Sequence, residues 1–234
     1  MYASVEFAPW LGVFETVRVT NGVPLFVPEH QAELARAMEA LGLKSEANFG
    51  EARAGLPPLS GRWRWIVTSE ETHAFFTEQA VVPYPEPVTL SVSPVRVGSS
   101  NWDARFKTLS YLPHAQAWKT ASTTEAVLLN ERGHVASASR GNIFWRRGVR
   151  LFTPAHEAGC RCGVVRGFVL KRQKVEEGNF PLSDLLAADE IFVTNSMKGV
   201  VSVKVVEGRP IASTASADIQ RRDYEEAVAE QIKG

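Results

Sequence analysis

Near its start the chain alternates strictly between the two sides of an extended backbone. In "GVFETVRVTNG", Val13, Glu15, Val17 and Val19 fall on one side and Phe14, Thr16 and Arg18 on the other, the period of a half-buried strand. Asn21-Gly22 predicts a tight hairpin turn, with "VPLFV" returning. The period then lengthens. In "PEHQAELARAMEALGL", Leu34, Met38 and Leu41 share one helical face, Pro28 suits the first turn and Gly42 ends it. After the loop "GLPPLSG", the segments "RWRWIVTS" and "THAFFTEQAVV" predict a second hairpin, with both tryptophans of the first strand on its buried side. "PYPEP" (83–87) has three prolines in five residues and predicts a linker between a small N-terminal domain, 1–82, and a larger one, 88–234.

The second part opens with the strand "VTLSVSPVRVG". A short helix fits "PHAQAWKTAS". Strands fit "EAVLLN", "NIFWRRG" and "VRLFTP", with "NERGH" as a turn. A helix starts near Gly163 and runs through "VVRGFVLKRQKVEE", and another fits "LSDLLAAD". The strand "EIFVTN", a hairpin through "VVEGRP" and a C-terminal helix in "SADIQRRDYEEAVAEQI" complete the pattern; Ile219, Ala227 and Val228 are that helix's inward candidates. Strands and helices mix without regular alternation, which predicts an α+β class.

Composition narrows the partners. The 234 residues are 44% apolar, enough to fill a core, and 26 basic residues balance 26 acidic ones. No global field draws such a chain to nucleic acid or to an anionic membrane, which leaves a small-molecule substrate or a second copy. "MYASVEFAPW" lacks the basic start and apolar run of a signal peptide, and no stretch approaches membrane-spanning length. Cys160 and Cys162, in "GCRCG", are too close to pair in ordinary backbone geometry. With His156 they lack a fourth metal ligand nearby. Free thiols, no metal and a reducing cytoplasm are the expectation.

Three segments carry candidate chemistry. "RCGVVRG" puts Gly163 where a helix starts, and exposed N–H groups with the helix dipole make such a place an anion site. "VTNSMKG" puts Asn195 and Ser196 just past a strand end, where small polar groups add donors. "DARFKTLSYL" sets Lys107 in a mostly uncharged setting.

Taken in order, "GVFETVRVTNGVPLFVPEH", "SPVRVG", "FKTLSYL", "EAVLLNERGHV", "GNIFWRRG", "LFTP", "CGVVRG" and "ADEIFVTNSMKGVVSV" resemble the class IV family of pyridoxal phosphate (PLP) enzymes. That family includes branched-chain and D-amino acid aminotransferases and aminodeoxychorismate lyases. "SPVRVG" and "NIFWRRG" are most similar to the lyase branch, which serves folate biosynthesis. The resemblance implies a two-domain fold with PLP at the domain interface, and a homodimer. It implies that Lys107 is the lysine that joins the PLP aldehyde and then acts as general base. It also implies a phosphate cup from the backbone of Gly163, Val164 and Val165 with Asn195 and Ser196.

The departures are informative. The family's early helix reads His-x-x-Arg-Leu, whereas "HQAEL" places Glu33 between His30 and Leu34 where the phosphate-binding arginine belongs. Glu33 is expected to pair with Arg36, three residues on. Ser137 stands where the family has a glutamate that keeps the pyridine nitrogen protonated; serine hydrogen-bonds a neutral nitrogen but cannot stabilise its positive charge. The usual Ile-Thr pair at the phosphate helix is Val164-Val165, and the lead-in before "FET" shrinks to "APWLG". A neutral ring is a poorer electron sink, which hurts transamination more than elimination. The leading reading is therefore loss of pyruvate from 4-amino-4-deoxychorismate to give 4-aminobenzoate. The alternatives are a class IV aminotransferase, or a non-enzymatic homologue that has lost PLP.

Overall fold

The structure is a computed structural model that describes residues 11–45, 47, 49–80 and 83–233. The shortened lead-in, which falls on residues 8–12, lies outside the described residues except for Leu11 and Gly12. The chain forms two compact units. One comprises the described residues up to Ala80 together with Phe106–Tyr111; the other comprises those that follow, without that segment.

The first unit holds β1 (Gly12–Thr20), β2 (Val23–Pro24), α1 (Val27–Leu41), α2 (Phe49–Arg53), β3 (Gly61–Thr68) and β4 (Thr72–Glu78). The strands form one antiparallel sheet in the order β2-β1-β3-β4. Asn21 and Gly22 take positive φ, 50° and 79°, the backbone that a two-residue hairpin turn requires. Gly42 closes α1 at φ 68°, its N–H bonding back to the last turn. The apolar side of the alternation lies inward: Val13, Val17 and Val19 pack with Leu34, Ala37, Trp63 and Trp65. Phe49 stacks on Trp65 with ring centroids 4.2 Å apart.

The segment carrying Lys107 belongs to this unit, whereas the sequence division assigned it to the second. The cause is backbone pairing. The Phe14 N–H donates to the Lys107 carbonyl at 2.8 Å and the Leu109 N–H to that of Gly12 at 2.9 Å. Gly12 lets the segment this close: a β-carbon there would stand 2.8 Å from Leu109 Cδ1 and 2.7 Å from the Val67 carbonyl oxygen.

The second unit holds β5 (Thr89–Val97), α3 (Trp102–Arg105), α4 (Leu112–Thr120), β6 (Glu125–Asn130), β7 (Val135–Ala138), β8 (Asn142–Arg147), β9 (Arg150–Pro154), α5 (Val164–Arg172), β10 (Val175–Gly178), α6 (Leu182–Leu186), β11 (Glu190–Asn195), β12 (Gly199–Ser202), β13 (Val205–Val206), β14 (Arg209–Pro210) and α7 (Ala215–Lys233). Two five-stranded sheets run in the orders β14-β13-β5-β6-β7 and β10-β9-β8-β11-β12. Their shared core joins Leu90, Val127, Ile143, Trp145, Ile191 and Val193. "EAVLLN" reads as an unbroken buried run because β6 is covered on both faces.

Two expectations are corrected here. The helix from Gly163 stops at Arg172, and "VEEG" turns into β10, pairing in parallel with β9. Gln173 already has extended backbone, and closing the sheet edge outweighs the helical propensity of the two glutamates. Ile219 is 45% exposed; Val228 is buried as expected and Ala227 half-buried, and Ala217, Gln220 and Tyr224 complete the buried face of α7. Tyr224 sets that face by lying over Gly199, where a β-carbon would come within 2.7 Å of its ring.

Candidate active site

In the first unit the Lys107 amine donates to Glu15 Oε1 at 2.6 Å. The same oxygen accepts the Thr16 N–H at 2.7 Å and lies 3.4 Å from His30 Nδ1. Glu15 and His30 are buried, while the Lys107 side chain is 30% exposed. Burial alone would raise the Glu15 carboxyl. The charges of Lys107 and then His30, with the hydrogen bond from Lys107, outweigh it and hold the group down at about 2. Glu15 therefore stays ionised and fixes the amine. It escaped the sequence reading, although a glutamate among inward-facing valines signals a buried charge that must find a partner.

Glu33 pairs with Arg36 at 2.7 Å, as its spacing predicted. Burial pushes its carboxyl up, and the hydrogen bond from Arg36 opposes the rise. The Arg36 guanidinium lies 5.1 Å from the Phe106 ring centroid. Both charges are thus engaged on their own helix surface. Tyr111 meets the Phe14 ring edge-on at 5.4 Å.

In the second unit one sheet end brings Gly163 and Asn195 together. β8 runs antiparallel to both β9 and β11, so the start of β8 shares an edge with the ends of β9 and β11. α5 follows β9. Gly163 is the N-cap of α5 and makes no side-chain cap hydrogen bond, so the first-turn N–H groups of Val164 and Val165 are not capped by it. A β-carbon at Gly163 would stand 2.2 Å from Asn142 Oδ1. Asn142 is held there by donating to the Arg161 carbonyl at 2.7 Å, and it pairs in register with Thr194. Gly163 and Asn195 are brought together in this way. Asn195 Oδ1 accepts the N–H groups of Met197 and Lys198 at 3.1 and 2.9 Å, which shapes the turn containing Ser196. Its Nδ2 donates to the Tyr84 hydroxyl at 3.1 Å.

Tyr84 in turn donates to Glu125, which is 1% exposed and also accepts from Ser139 and from Arg140 Nε. Burial, then the Glu125 charge, raises the Tyr84 hydroxyl and keeps it neutral. This buried network anchors the Asn195 turn. Ser137 lies on β7, whose end bonds back to Gly141 through the Ala138 N–H at 3.0 Å. Its hydroxyl is buried with no hydrogen-bond partner among the described residues, and so is that of Thr194. Neither Cys160 nor Cys162 is in a disulfide among the described residues. Among the described residues no group of His, Cys, Asp or Glu side chains can hold a metal ion, and no helix is long and apolar enough to cross a membrane.

A lysine fixed against β1 in one unit, and in the other an uncapped helix start near the buried Thr194 hydroxyl, sit in a mixed α+β fold. Residues 12–206 match the amino-transferase class IV family, and the chain belongs to that family of enzymes. The aminodeoxychorismate lyase of Bacillus subtilis (strain 168) is 26% identical over 231 residues, covering 84% of this chain and 78% of the relative. The crystal structure of 4-amino-4-deoxychorismate lyase from Pseudomonas aeruginosa matches with a TM-score of 0.78 at 20% identity, covering 94% of this chain and 96% of that one. An aminotransferase from Brucella abortus bound to the cofactor PLP matches with a TM-score of 0.78 at 22% identity, covering 92% and 88%. At these identities the two structures establish the shared fold.

Proposed function

We propose that the protein is a PLP-dependent lyase that eliminates pyruvate from 4-amino-4-deoxychorismate and leaves 4-aminobenzoate. The observation that carries this reading is Ser137: a buried hydroxyl without a partner, in the segment where a charged ring partner would otherwise stand. The lyase relative from Bacillus subtilis, aligned over 84% of the chain, supports the same branch.

The described residues fit the cofactor. The uncapped start of α5 offers N–H groups to a phosphate, the Ser137 hydroxyl suits a neutral ring nitrogen, and Lys107 supplies an amine. PLP, when bound, supplies the electron sink for charge developing beside the substrate's amino group. Gly163, Val164 and Val165 would hold the phosphate through backbone N–H groups; Val165 adds no hydroxyl. The Asn195 side chain is committed to its turn and to Tyr84, so it positions Ser196, which adds a hydroxyl donor. Lys107 Nζ takes the proton from the substrate carbon that bears the amino group, and Glu15 fixes the amine for that step.

The test is the absorbance of purified protein after PLP addition and desalting, followed by assay of pyruvate release without an amino acceptor. The expected result is a visible band that Lys107→Ala abolishes, with pyruvate formed in the parent alone. Turnover that requires an added keto acid would instead assign the class IV aminotransferase reading. No band in the parent would sink both.

A further inference from the structure

We propose that Arg140 determines specificity by binding, through the Nη1 edge of its guanidinium, the substrate carboxylate remote from the reacting amine. The side chain is already oriented. Its Nε donates to Glu125 Oε1 at 2.8 Å and its Nη2 to the Thr124 carbonyl at 3.0 Å. Its guanidinium carbon lies 4.4 Å from the Trp118 ring centroid and 5.1 Å from that of Tyr84. A guanidinium is a rigid fork of five N–H donors that matches a carboxylate. Here Nη1 makes no hydrogen bond among the described residues, and the side chain is 30% exposed. A carboxylate, a backbone carbonyl and two rings thus fix the plane, and one edge is left for a ligand.

Glu125 does not serve Arg140 alone. Its oxygens also accept from the Tyr84 hydroxyl, the Ser139 hydroxyl and the Arg140 backbone N–H. A second cation stands on the Tyr84 ring, with Lys198 Nζ 4.3 Å from its centroid. Burial, then the Arg140 charge, lowers the hold of Lys198 on its proton, and the Glu125 charge opposes this. Arg140 makes the contact; Lys198 adds positive charge beside it. Arg140 sits in the tight turn from Ala138 to Gly141, three residues beyond Ser137. Tyr84 carries the network on to Asn195 Nδ2 at 3.1 Å. The guanidinium is therefore joined to the candidate cofactor contacts of its own unit.

That this anion belongs to the substrate rests on the lyase reading. An α-amino acid bears a carboxylate on the carbon that carries the amine. 4-Amino-4-deoxychorismate bears its ring carboxylate across the ring from the amine, and 4-aminobenzoate keeps that arrangement. The cofactor phosphate shares the chemistry, so the experiment separates the two sources.

The test is calorimetric titration of the full chain, in excess PLP, with 4-aminobenzoate and with its neutral counterpart 4-aminobenzamide. Parent, Arg140→Gln, Arg140→Lys and the control Arg147→Gln are compared. The expected result is a preference of about tenfold or more for the acid over the amide in the parent and in Arg147→Gln. In Arg140→Gln the two bind alike. Arg140→Lys keeps the charge and loses the fork, so it falls between. The ratio is read within each variant; loss of a merely structural arginine would weaken both ligands together and leave the ratio unmoved. An acid preference kept in Arg140→Gln, or absent from the parent, would overturn the proposal. If Arg140→Gln does not fold once Glu125 loses its partner, Arg140→Lys decides, and a ratio equal to the parent's would overturn it. Weaker PLP binding by Arg140→Gln with the acid preference kept would assign the arginine to the cofactor phosphate and overturn it too. A parent that releases no pyruvate, yet whose acid preference disappears in Arg140→Gln, would sink the lyase reading alone. A parent that releases pyruvate without the preference would sink this proposal alone.

Discussion

Lys107 is not a free amine, because Glu15 holds it at 2.6 Å. The carboxylate is buried and ionised, so the geometry of the Lys107 amine is set by a charge on the inward side of β1. Glu15→Gln keeps the shape and removes the charge. It is expected to cost on the order of 1–3 kcal/mol in stability. It should also move the pH of half-maximal PLP uptake downward, since the ammonium form of Lys107 loses its counter-ion. A pH series of the visible band checks both the direction and the need for the charge; an unmoved profile would mean that Glu15 only fills space. The residue scale was partly legible in the sequence. Glu33 and Arg36 are three apart on a helix, so their pairing follows from local spacing. Glu15 and Lys107 are 92 residues apart, and no local pattern joins them.

At the scale of elements, glycines decide how closely strands and helix starts approach. A β-carbon at Gly141 would stand 2.3 Å from the Thr194 carbonyl oxygen, which is backbone within a paired strand. At Gly163 the obstacle is the Asn142 side chain, which can shift only by giving up its bond to Arg161. Both alanine variants are expected to be destabilised by about 1–3 kcal/mol, the usual cost of overpacking, with Gly141→Ala the worse because backbone yields less. Denaturant midpoints rank them; the reverse order would show that the Asn142 bond matters more than the ladder. The first β1-to-α1 stretch was readable because period, turn and cap agree there. The end of α5 was not: "KVEE" carries good helix formers, and only the open edge of β9 claims it for the sheet.

At the scale of the molecule, buried groups in both units shape the response to acid, His114 and Glu15 among them. In the second unit, burial and then the Arg161 charge hold His114 down at about 2 from an ordinary 6.5. The unfolded chain binds that proton first, so the stability His114 contributes is full above pH 6.5 and falls as pH drops toward 2. In the first unit Glu15, held at about 2 against an ordinary 4.5, contributes stability that is full above pH 4.5 and is lost as pH falls through about 2. Denaturant midpoints measured against pH are therefore expected to decline in two stages, the upper belonging to His114. His114→Gln should flatten the upper stage and spare the lower. A proposed boundary at 83–87 was legible in the sequence from "PYPEP". The return of Phe106–Tyr111 to the first unit was not, because it depends on pairing with Gly12 and Phe14 rather than on anything within that segment.

That return has a consequence for how the protein is made. The first unit cannot be finished when its own eighty residues have left the ribosome; its last edge arrives only with Tyr111. Until then the emerging sheet carries Glu15 beside His30 with no lysine, a carboxylate still waiting for its counter-charge. Docking of the Lys107 segment then completes a fold and neutralises a buried carboxylate in one event, so a nascent chain stalled short of it would have neither.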